Sequence, residues 1–196
     1  MKRILIVVDM QNDFITGPLG TPEARSIVPK VAAKVREYMD NGDYVIATMD
    51  THDETYLTTL EGKKLPVEHC RYDTDGWKLC PELAMIPEKN MLMKFSFGTD
   101  KLPRWVDNIF WRELYTWHSN VPAGKLDGEI PITIVGVCTD ICVVSNALML
   151  RSVFPNALIT VDASCCAGTT PELHKAALDV MRSCQIDIAG EEKDVE

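Results

Sequence analysis

The most constraining feature of this chain is a set of short apolar runs that do not alternate. Ile4–Val8, Tyr44–Thr48, Ile132–Val137 and Ala157–Val161 are rich in Ile and Val and carry almost no polar residue. A strand with one wet face alternates apolar and polar residues, whereas a strand covered on both faces reads as a continuous apolar run. Between these runs lie segments of helical period. Residues 24–38 place Ile27, Val28, Val31, Ala32 and Val35 on one face, with Met39 following. Residues 105–117, 140–154 and 171–184 are three further helical segments, the last with Thr169 or Thr170 as N-cap before Pro171. Strands that alternate with helices predict βαβ units: an α/β fold of three layers, αβα, with a mostly parallel sheet and helices on both faces.

A chain of 196 residues fits one domain, expected over residues 1–190 with a short acidic tail at 191–196. Asp and Glu number 29 against 20 Lys and Arg, a formal charge of -9, and no basic run appears. That balance argues against nucleic acid or an anionic membrane as partner. The first apolar run is too short for a signal segment and is closed by Asp9, and no stretch approaches the roughly 18 apolar residues of a membrane helix. A cytoplasmic protein is expected, and its seven cysteines read as thiols. No glycine-rich phosphate loop follows any strand, which leaves dinucleotide binding and phosphoryl transfer without support.

In such sheets functional groups gather at the carboxyl ends of the strands, and three reactive side chains fall there. Asp9 ends the first run. Lys94 follows Met91-Leu92-Met93. Cys142 follows the Ile132–Val137 run at the start of a helix. A thiol is nucleophilic as thiolate, and a helix N-terminus and a cation lower its pKa, so Cys142 beside Lys94 is expected to be activated in both ways. Asp9 is placed to take the thiol proton and later return it to a leaving amine. Backbone N–H groups at Cys138 and Cys142 are candidate oxyanion donors. Each residue also has a bland reading, as cap, buried small hydrophobe or solvated cation.

The segments Val8-Asp9-Met10-Gln11-Asn12-Asp13-Phe14, Lys94-Phe95-Ser96-Phe97 and Gly136-Val137-Cys138-Thr139-Asp140-Ile141-Cys142-Val143 resemble the isochorismatase-like cysteine hydrolases, in the family's order and approximate spacing. The resemblance implies a catalytic Asp9–Lys94–Cys142 triad, a cis peptide before Cys138, an oxyanion hole from the Cys138 and Cys142 amides, and a homo-oligomer, dimer or larger. By the same analogy Phe14 and Phe97 are expected to line the substrate pocket.

A second constellation points to a branch of that family. Asp50-Thr51-His52 and the later Glu68-His69-Cys70 resemble the metal site of nicotinamidases. The resemblance implies Asp50, His52 and His69 as ligands, Glu61 as a further candidate, and zinc or another first-row divalent ion as cofactor, since imidazole and carboxylate suit such ions. Leu65 stands where the pattern often has Trp, so no aromatic wall is expected at that position. The irregular stretch from Thr51 to Lys89 is too long for a plain connection and reads as the active-site loop, with Trp77 either covering the site or anchoring the loop. The expected activity is hydrolysis of a small carboxamide through a thioester, nicotinamide to nicotinate plus ammonia first among candidates. Alternatives are another amide or ureido hydrolase, an isochorismatase-type enzyme, a catalytically silent binding protein, and a metal- or redox-binding thiol protein.

Overall fold

The computed structural model describes residues 2–117 and 130–191; of the acidic tail only Glu191 lies among them. Six parallel strands form one sheet: β1 Ile4–Val8, β2 Tyr44–Asp50, β3 Met91–Lys94, β4 Ile132–Val137, β5 Ile159–Ala167 and β6 Asp187–Ala189. Their order across the sheet is β3-β2-β1-β4-β5-β6. The chain winds outward from β1 in one direction and then returns to wind outward in the other, so the switch falls between β1 and β4. The αβα expectation holds.

Each face of the sheet buries its own set of side chains. Leu5, Val7, Val45, Ala47, Val135 and Val137 pack against Ile27, Val28, Val31 and Val35 of helix α2, Pro22–Asp40. The opposite residues Ile4, Ile6, Val8, Ile132 and Ile134 pack against three helices. These are α4 (Lys101–Trp117), α5 (Val144–Val153) and α6 (Pro171–Ser183). Two short helices, α1 Asn12–Ile15 and α3 Leu60–Lys64, lie in the connections after β1 and β2. Thr170, rather than Thr169, caps α6, its hydroxyl accepting from Leu173 N–H at 3.2 Å. No helix among the described residues is long and apolar enough to cross a membrane.

The structure departs from the expected helix over 140–154. Thr139–Val143 winds as a π turn and the α-helix begins only at Val144. The Val137–Cys138 peptide that leads into the turn is cis. Just before it Gly136 has φ +118°, and a Cβ there would meet the Val8 carbonyl oxygen at 2.1 Å. Only glycine lets β4 pass so close to β1.

At the far side of the sheet Asp162 of β5 accepts from Lys34 of α2 at 2.7 Å and from Ser164 N–H and hydroxyl at 3.1 and 2.7 Å. Burial by itself raises this carboxyl's pKa, but the Lys34 and Ser164 donors outweigh it and hold it below the usual carboxylate range. A depressed folded pKa contributes stability above the unfolded carboxylate value and loses it as pH falls through the folded one. Asp162→Asn is therefore expected to lower unfolding stability by about 1–3 kcal/mol at neutral pH. In urea titrations the deficit should shrink below about pH 4; a deficit unchanged by acid would rule out the ionic contribution.

Candidate active site

Because the strands are parallel and in register, their carboxyl ends deliver side chains to one edge. Asp9 follows β1 directly, with φ +50°, a left-handed conformation that Asp tolerates better than most residues. Asp50 of β2 pairs in register with Lys94 of β3. Cys142 arrives from the π turn after β4. Residues scattered over more than half the chain thus meet in one buried cluster. Asp9 is 0% exposed, Lys94 1% and Cys142 6%.

Lys94 stands at the centre. Its Nζ lies 2.8 Å from Asp9 Oδ2 and 3.0 Å from Asp50 Oδ1, and it donates to Cys142 Sγ at 3.5 Å. Asp9 Oδ1 accepts from the Thr48 hydroxyl at 2.7 Å. Asp9 Oδ2 is the oxygen that faces the Lys94 ammonium as an ion pair.

Burial raises the Asp9 carboxyl above its usual range, against the pull of Lys94. Lys94 is pushed the opposite way by burial, but the surrounding Asp9, Cys142 and Asp50 outweigh that and hold it as an ammonium. For Cys142 the expectation of a lowered pKa fails. Burial, and then the Asp9 charge, raise it well above the ordinary thiol value, and Lys94 does not compensate. The resting group is a thiol, so its activation requires transfer of a proton to a neighbour rather than a standing thiolate.

A second cluster adjoins the first through Asp50. The ligating atoms of Asp50, His52, Glu61 and His69 all lie within 4.8 Å of one another. Asp50 Oδ2 is 3.0 Å from His52 Nε2 and 3.5 Å from His69 Nε2, and Glu61 Oε1 is 3.8 and 3.9 Å from the same two nitrogens. His69 Nδ1 lies 2.8 Å from the Val67 carbonyl, which can only accept. The ring therefore donates from Nδ1 and turns Nε2 toward the carboxylates. Two imidazole nitrogens and two carboxylates facing inward form a donor set that a first-row divalent cation satisfies. Asp50 is held well below the usual carboxylate range: burial opposes this, but His52, His69 and Lys94 together prevail.

Polar side chains that attracted no attention in the sequence hold both clusters in place. Gln11 is fully buried and receives Asp50 N–H at 2.7 Å. It donates to the Asp50 and Trp77 carbonyls, both at 2.8 Å. Asp13 accepts from Cys70 N–H, beside His69, at 2.7 Å. Asn146 of α5 donates to the Cys142 carbonyl at 2.8 Å and to that of Phe97 at 3.2 Å. The Tyr56 ring packs against both imidazoles, 4.5 Å from His52 and 5.0 Å from His69. No sequence pattern flags Gln11, which sits in the polar run Gln11-Asn12-Asp13; Asn146 is marked only by its polarity beside Ala147 and Leu148.

Phe14 is nearly buried, 5.5 Å from the His69 ring. Phe97 is half-exposed. Trp77 anchors the loop, its Nε1–H donating to the Thr51 hydroxyl at 2.9 Å. All seven cysteines are free.

A doubly wound sheet presenting a thiol, a carboxylate and an ammonium in one buried cluster has the outline of a cysteine-dependent hydrolase. The isochorismatase-domain family model matches residues 3–115 and 127–192, and the chain belongs to the isochorismatase family. It is 29% identical over 157 residues to an uncharacterised isochorismatase family protein, PncA, of Bacillus subtilis, a match covering 76% of this chain and 78% of that one. The fold is similar to the zinc complex of pyrazinamidase from Pyrococcus horikoshii, with TM-score 0.74 and 24% identity over 97% of this chain and 100% of the other. It is also similar to a pyrazinamidase/nicotinamidase from Streptococcus mutans, with TM-score 0.74 and 25% identity over 95% and 99% of the two chains.

Proposed function

We propose that the protein hydrolyses the amide bond of a small carboxamide, with nicotinamide as substrate and nicotinate and ammonia as products. The observation that carries this reading is the single ammonium of Lys94, in contact at once with Asp9, Cys142 and the candidate metal ligand Asp50. The relatives named pyrazinamidase and nicotinamidase supply the substrate class.

In the proposed reaction Asp9 takes the proton of the Cys142 thiol. The sulfur attacks the carboxamide carbon, and the oxyanion is received by the backbone N–H groups of Cys138 and Cys142. Asp9 then gives its proton to the departing nitrogen, ammonia leaves, and a thioester remains on Cys142. Asp9 next takes a proton from water, whose oxygen attacks the thioester. Collapse releases the carboxylic acid and returns the proton to sulfur. Lys94 keeps one positive charge against Asp9 and the developing thiolate throughout, so neither anion stands uncompensated in a buried site. Asp50, His52 and His69, with Glu61, would hold a zinc ion, which when bound supplies a Lewis acid that anchors the ring nitrogen or a water and so orients the amide. We also propose a homo-oligomer, dimer or larger; the exposed Leu60 and Phe95 are apolar surface that association would cover.

The test is ammonia release from nicotinamide by the purified protein, before and after chelation and after zinc is restored. Release that falls on chelation and returns with zinc is the expected result. No release from a zinc-loaded protein moves the substrate elsewhere among small amides, and release indifferent to chelation removes the metal from the reading.

A further inference from the structure

The turn that carries Cys142 is not fixed by its own side chains, since Cys138 enters it with no capping hydrogen bond. Besides Asn146 of α5, which holds the Cys142 carbonyl, its anchors come from the β5–α6 connection. The Thr139 hydroxyl, fully buried, lies 2.8 Å from His174 Nδ1 on α6. The next residue, Asp140, accepts from Thr169 N–H at 2.8 Å and from its hydroxyl at 2.5 Å. Gly168 closes the packing: a Cβ there would come within 2.8 Å of His174 Cβ and 2.9 Å of Asp140 Oδ1. Two consecutive residues between Cys138 and Cys142 are therefore latched to one neighbouring segment.

We infer that His174 is a positioning residue for the Cys138–Cys142 turn, acting through its hydrogen bond to Thr139. The inference rests on the proposed reading of Cys142 as nucleophile. The two latches are not equivalent. The Asp140–Thr169 pair is exposed, where water replaces a lost partner at little cost. The Thr139 hydroxyl is buried, so without His174 it must either remain unsatisfied or turn the backbone to find another partner. Any such turn re-aims the amides and the sulfur on either side of it. Burial also holds the His174 imidazole below its ordinary pKa, against the opposite pull of Asp140 and Glu191, which keeps it a neutral partner at neutral pH. His174 is distinct from the reacting groups: it holds the turn at Thr139, the turn's first residue, rather than at Cys142, so its influence falls on the chemical step rather than on substrate binding. The other side of the residue faces a groove of about 400 Å³ shared with Lys30, Thr170 and Lys175, which leaves room for a different side chain without repacking the core.

The experiment compares His174→Leu with His174→Asn, whose amide places a polar atom where Nδ1 stands. In His174→Leu, kcat for ammonia release from nicotinamide is expected to fall about tenfold or more, the scale of a small misplacement of reacting groups, with KM little changed. The rate at which iodoacetamide alkylates Cys142, followed by peptide mass spectrometry, should fall in parallel, and His174→Asn should restore most of both. Thr139→Val against Thr139→Ser repeats the comparison from the other end of the bond should a His174 variant not fold. A kcat and an alkylation rate in His174→Leu within about twofold of wild type overturn the positioning role. So does an Asn variant no better than Leu. A Cys142→Ala protein that keeps full turnover overturns the nucleophile reading itself, an outcome read independently of either His174 variant.

Discussion

Cys142→Ala is expected to lose ammonia release by about 10⁴-fold or more, the scale on which removing the nucleophile of a covalent hydrolase acts. The protein should remain folded, because the change trims one sulfur from a cluster whose other members keep their partners. Removing the exposed thiol instead, in Cys184→Ala, should leave turnover unchanged, since Cys184 lies at the far end of α6 from the turn. Circular dichroism on both proteins separates loss of chemistry from loss of fold. Substantial turnover by folded Cys142→Ala would remove the thioester mechanism and leave Asp9 to activate water directly.

Lys94→Met should cost both stability and activity. The ammonium is buried and is shared by two carboxylates, and removing one member of a buried charge cluster typically destabilises by about 3–5 kcal/mol because the remaining charges lack compensation. Without Lys94 the burial and the Asp50 charge that already raise Asp9 act unopposed, so Asp9 is driven toward its protonated form and cannot accept the thiol proton. The sign of the pH dependence follows. A carboxyl whose folded pKa lies above its unfolded one contributes stability at low pH and loses it as pH rises through the folded value. The variant's deficit relative to wild type should therefore be smaller at mildly acidic than at mildly alkaline pH. Urea unfolding under both conditions, with turnover measured alongside, decides the matter. A variant with wild-type stability and turnover would return Lys94 to the role of a bystander.

Much of the architecture was legible because burial on both faces leaves a plain mark: Ile4–Val8 and Ile132–Val137 could be nothing but strands between two apolar layers. The helices around them declared themselves by period, and α6 also by a Thr-Pro start, although the choice between Thr169 and Thr170 as cap needed the structure. What escaped was structure created by partners. The three residues of β6 form a strand only because Thr160–Asp162 of β5 offer them a ladder. Strand β5 runs on through Ser164-Cys165-Cys166, residues without strong strand preference, where β4 continues beside it. The π turn at Thr139–Val143 is likewise set by what surrounds it. In the site, Asp9, Lys94 and Cys142 could be singled out as strand-end residues, but not the direction in which burial drives the Cys142 thiol, because desolvation is invisible to a motif. Gln11 and Asn146 were missed for the same reason: their work is done by backbone groups they meet only in three dimensions.

Gln11 touches no reacting group, yet it joins the exit of β1, the end of β2 and the Trp77 stretch through three hydrogen bonds. Asp13 adds a fourth tie, beside His69. The ion-binding groups are thus riveted to these pieces of backbone, and Lys94, bonded to both Asp50 and Cys142, is the link from them to the thiol. Under the proposed reading, a compound that engages both ends must carry its ring nitrogen and its carbonyl carbon at one set separation, so discrimination among amides is a matter of length before it is a matter of outline.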